Sequence, residues 1–66
     1  MDASKIADKL RELRGYTPRR VVAADIGISE AALTAYESGA RVPRDEVKIK
    51  LADYYKTTVE AIFFAD

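Results

Sequence analysis

Residues 21–39 read VVAADIGISEAALTAYESG. Two short helical segments meet here across DIGIS. Val22, Ala23 and Ile26 make the inward side of the first segment, and Gly27 ends it with a positive φ that other residues resist. Ser29 is a candidate N-cap, because its hydroxyl can accept a hydrogen bond from the first turn of the next helix. Gly39 stops that second helix. At about 100° per residue its two arcs separate. Ala32, Leu33, Tyr36 and Glu37 share one, predicted to be core. Glu30, Ala31, Thr34, Ala35 and Ser38 share the other, predicted to face solvent or a ligand.

The flanking sequence extends the same pattern. Ala3, Ile6, Leu10 and Leu13 form one stripe of a first helix from Ala3 to Arg14, with Asp2 as N-cap and Gly15 as stop. In TPRR, Thr17 is a candidate cap and Pro18 suits the first helical position. After the turn ARVPR, a fourth helix is predicted from about Arg44 to Tyr55. Val47, Ile49, Leu51, Ala52, Tyr54 and Tyr55 cover most of its circumference, which places it at the centre of a bundle. Glu46, Lys50 and Asp53 form its polar strip. Lys48 falls inside the apolar arc, with its stem predicted on the core edge and its ammonium in water. In KTTVEAIFF, Thr57 followed by Glu60 fits a capping box. Val59, Ile62 and Phe63 face inward, and Phe64 lies off that stripe. Neither strand alternation nor a repeat is present. The reading is all-α: five short helices around one core, forming one domain over residues 1–66.

Composition narrows the functional classes. The chain is 48% hydrophobic and 33% charged, as expected of a globular domain. It contains no cysteine and no histidine. Disulfides and thiolate metal sites are thereby excluded, and the commonest general base is missing. The remaining candidate catalytic types are not clustered, and all three glycines are explained as helix stops. No enzyme activity, cofactor or metal is expected. Neither a signal peptide nor an apolar run of roughly 20 residues is visible, so a soluble, cytoplasmic protein is expected. Eleven charges of each sign cancel, whereas nucleic-acid-binding domains are usually basic. The distribution is uneven, however. Residues 1–20 carry six positive and three negative charges, and residues 21–40 only Asp25, Glu30 and Glu37. Residues 41–50 are net positive again.

A small residue in mid-helix (Ala23), a glycine in the turn (Gly27) and a branched residue after it (Ile28) make the pattern of a helix-turn-helix. Together with KLRELR, Leu33, Tyr36-Glu37, Gly39, Pro43, Leu51-Ala52 and the closing TVEAIF, the chain resembles the lambda-repressor/Cro-like helix-turn-helix regulators of bacteria and phages. The resemblance covers almost the whole chain. It implies that Arg19 and Arg20 at the start of the second helix contact DNA phosphate, with Arg19 standing where a glutamine is usual. It also implies that Arg41 and Arg44 clamp phosphates beyond the third helix. The base-reading surface would comprise Ser29, Glu30, Ala31, Thr34, Ala35 and Ser38. An ion pair between Arg14 and Glu37 is implied as well. Two departures stand out. The connection between the first two helices is about two residues shorter than usual, and the base-reading positions lack bidentate donors.

Each residue also has a plainer reading. The four arginines can be solvated surface charges. Glu30 can complement the helix dipole or accept from a cytosine amino group. Ala31, Ala35 and the Thr34 methyl can touch thymine methyls, or simply favour helix. Tyr36, Tyr54, Tyr55 and Phe63 read as core, and Phe64 as a dimer contact or an end of chain. The resulting expectation is a double-stranded DNA-binding regulator, a dimeric repressor acting by operator occupancy. The alternative is a protein-interaction module on the same fold that binds another regulator.

Overall fold

The computed structural model describes residues 2–64. Its elements follow in the order α1 (Ala3–Arg14), α2 (Arg19–Ile26), α3 (Glu30–Ser38), α4 (Asp45–Tyr54) and α5 (Glu60–Phe64), the last wound as a π-helix. Among the described residues there is no strand. The architecture is therefore the small all-helical bundle that the sequence predicts.

Helix ends follow from local chemistry. The Asp2 carboxylate accepts from the Ser4 N–H at 2.9 Å, and the Ser29 hydroxyl accepts from the Ala32 N–H at 3.0 Å. Gly27 (φ +79°) and Gly39 (φ +82°) both adopt the left-handed conformation that closes α2 and α3. A Cβ at Gly39 would stand 3.5 Å from the Ala3 carbonyl oxygen, so the end of α3 comes close to the start of α1.

Two predicted caps lie elsewhere. Thr17 does not cap α2: Pro18 occupies the cap position, and no side chain bonds the first turn. The Thr17 carbonyl instead accepts from Arg14 Nη1 at 2.9 Å. Nor does Thr57 cap α5. Lys56 takes a positive φ of 56°, which turns the Thr57 N–H back onto the Ala52 carbonyl at 2.9 Å. Thr57 is thereby spent in closing α4. The hydroxyl of Thr58 accepts from the Ala61 N–H at 3.1 Å, one residue later than predicted.

Ile6, Leu10, Val22, Leu33, Leu51 and Phe63 form the heart of the core, all at or below 3% exposure. α1 and α2 both pack against α3, so α3 is central, and α4 is not. Ile49 is 54% exposed, contrary to the central placement predicted for its helix. Alternation of Val47, Leu51 and Ala52 with Asp45, Glu46, Lys50 and Asp53 gives α4 one buried side and one wet side. The Lys48 ammonium is not in open water either. Its side chain is 10% exposed, with Nζ 3.7 Å from Asp45 Oδ1 and over the rings of Phe63 and Phe64. The negative ring faces and the carboxylate compensate its desolvation.

Candidate nucleic-acid interface

The interface is built from the last turn of α3 outward. Glu37 falls on the inward arc, and its side chain is wholly buried. A buried carboxylate is tolerated only when cations and donors surround it. Arg14, from the last turn of α1, places Nε 3.0 and 2.8 Å from the two carboxylate oxygens. Arg19, from the first turn of α2, places Nε 2.8 Å from Oε1. The Arg11 guanidinium donates to the Glu37 carbonyl, satisfying an end-of-helix acceptor. Three helices thus converge on one residue. The hydrogen bond to Glu37 raises the Arg14 pKa above its ordinary value.

Tyr55 lies beside this cluster. Its hydroxyl is buried with no hydrogen-bond partner among the described residues. Burial first, then the charge of Glu37, push its pKa up to about 12, while Arg14 opposes the rise. The folded state therefore holds this proton more tightly than the unfolded chain, whose tyrosines titrate near 10. The stabilisation is complete below about pH 10 and is lost as pH rises through about 12. Urea unfolding between pH 9 and 12.5 should show that decline, and Tyr55→Phe should flatten it. A decline of equal depth in the variant would assign it to other groups.

The opposite arc of α3 is open. Glu30, Ala31, Thr34 and Ser38 are exposed and Ala35 is half-buried. The Ser29 hydroxyl is engaged as the cap, and the Ser38 hydroxyl donates to the Ala35 carbonyl at 3.1 Å. Of the predicted set, Thr34 and Glu30 retain side-chain polar atoms with no protein partner among the described residues. The basic residues are not evenly arrayed. Arg14 and Arg19 gather on Glu37, and the Arg41 N–H donates to the Ala35 carbonyl at 3.2 Å, fixing that residue's backbone just past α3. Arg20 is exposed. Arg44 is exposed with Nη1 3.5 Å from Glu46, a surface pair of little energetic weight. Tyr54 ties α4 to α2 by donating to Asp25 Oδ2 at 2.8 Å, and that bond raises its pKa.

The α2–turn–α3 unit, with a left-handed glycine between the helices and one face of α3 free, has the geometry of a DNA-reading motif. Residues 5–62 match the family model described as a helix-turn-helix domain. The chain belongs to that family. No curated protein and no solved structure matches the chain. Among the described residues, no helix of this helix-turn-helix domain is long and apolar enough to cross a membrane.

Sequence reading missed one feature of the site and one of the surface. Arg19 shares Glu37 with Arg14, a contact between residues eighteen positions apart that no helical periodicity encodes. Tyr16 is fully exposed in the α1–α2 connection. Its position between Gly15 and Pro18, outside any helical stripe, was the available signal.

Proposed function

We propose that this helix-turn-helix domain, taken as one unit over residues 1–66, is a sequence-specific double-stranded DNA-binding transcription regulator. It acts as a repressor by occupying an operator, in the cytoplasm of a bacterium or in phage infection. The open arc of α3, with the Arg41 backbone held just beyond its end, is the observation that carries this reading. The small side chains Ala31, Thr34 and Ala35 permit close approach to a groove floor and contact with thymine methyls. Arg19, Arg20, Arg41 and Arg44 take backbone phosphates, which supply affinity without sequence information. The first turn of α2, capped by no side chain, adds N–H groups that favour an anion. Two copies, paired through the exposed Phe64, would read half-sites about 34 Å apart.

Neutral overall charge and exposed alanines support a second reading, a module that binds another regulator through the same arc. Fluorescence anisotropy on a random duplex at 50–200 mM salt separates the two. Four phosphate contacts per copy give a log–log slope of about −3.6, so a fourfold rise in salt weakens binding roughly a hundredfold. Arg41→Glu with Arg44→Glu should abolish binding without unfolding the domain, since neither side chain is buried. Absence of salt-dependent binding in the parent chain would favour the protein partner, and Ala31→Trp should then block that partner.

A further inference from the structure

One cation suffices to balance the buried Glu37 carboxylate, and Arg14 already spans both of its oxygens. Arg19 adds a second cation on Oε1, so the three side chains together carry an excess positive charge. That excess resides on Arg19, whose side chain is 38% exposed against 15% for Arg14. Holding a second long side chain costs rotamer freedom that neutrality does not require. The geometry of the contact gives the cost a purpose. Guanidinium is planar, with its donors in a fixed fork. With Nε directed at Glu37, the outer edge formed by the two Nη groups faces away from the carboxylate. Among the described residues those Nη groups make no hydrogen bond to protein.

We infer that Glu37 is a positioning residue for DNA binding: it holds Arg19 with the outer edge of its guanidinium set to receive a backbone phosphate. The inward side of α3 thus fixes a phosphate contact carried by α2, while the outward side of the same helix faces the bases. Register along the groove and grip on the backbone are then set by one helix. A lysine at position 19 cannot reproduce this. Its ammonium is a single point charge that pairs with Glu37 or reaches outward, and it has no second edge. The inference rests on the DNA-binding reading above.

Anisotropy on one duplex that the parent chain binds, with a thermal melt of every variant, tests it. R19Q should weaken binding about tenfold or more and reduce the salt slope by about 0.9 per copy. E37Q is the decisive variant. It makes the domain more positive, so charge alone predicts tighter binding, whereas loss of positioning predicts severalfold weaker binding. That loss should vanish when E37Q is added to R19Q. Binding by E37Q as tight as the parent's, or a full E37Q loss on the R19Q background, overturns the inference. Should E37Q fail to fold, R19K decides: it keeps the charge and lacks the fork, so binding close to that of R19Q is expected and parental binding overturns the inference. A parent chain with no salt-dependent DNA binding removes the DNA reading itself, an outcome distinct from a parent that binds and an E37Q that binds better.

Discussion

Arg14→Met should lower the free energy of unfolding by about 3 kcal/mol. Removing one partner of a buried ion pair typically costs about 3–5 kcal/mol, because the other charge stays behind in a dry site. Glu37 is that other charge, with no exposed side-chain surface. Arg19 remains on Oε1, which keeps the loss at the lower end of the range. The variant also strips the Thr17 carbonyl of its donor and loosens the α1–α2 connection. A domain of this size holds only about 3–10 kcal/mol in total. Urea unfolding should therefore find the variant close to its transition without denaturant, and its thermal midpoint should fall by about 12 °C or more. The companion variant carrying Met at both 14 and 37 should be markedly more stable than Arg14→Met alone, since apolar replacement of a whole buried pair is often neutral or better. A single variant within 1 kcal/mol of the parent would mean that water reaches the carboxylate and that the cluster is not the knot of the fold.

Legibility in the sequence tracks the range of the interaction. Gly27, Gly39, Asp2 and Ser29 declare helix ends through contacts within four residues, and each end lies where the sequence predicts it. Thr57 and Thr58 are equally good cap residues, and the choice between them was made by the left-handed turn at Lys56, which composition does not announce. Ile49 is apolar yet exposed, because the burial of a face depends on which helix lies across from it. The same holds for the site. The exposed arc of α3 follows from its own period, and the arrangement at Glu37 does not. Sharing of one carboxylate by Arg14 and Arg19 depends on how three helix ends converge, a property of the assembled bundle.

Phe63→Ala should cost about 3–5 kcal/mol, while Phe64→Ala, one position along, should cost about 1 kcal/mol or less. The two residues share a chemistry and a five-residue element but not an environment: Phe63 is 2% exposed and Phe64 56%. Phe63 is the largest of the fully buried side chains, and α5 carries it against α1. Truncation removes its transfer free energy and leaves a cavity that a small bundle cannot fill without moving whole helices. It also uncovers Lys48, whose buried ammonium lies 5.7 Å from that ring. Loss of a ring face from a desolvated cation adds to the cavity cost. Phe64 offers the same ammonium a ring at 5.2 Å, but from the wet side, where the contact is worth less. Chemical denaturation of the two variants in parallel reads the difference directly. Equal losses would mean that α5 is anchored through the Lys48–Phe64 contact and not through the core. The expected inequality assigns the holding of the fold to Phe63 and not to its exposed neighbour Phe64.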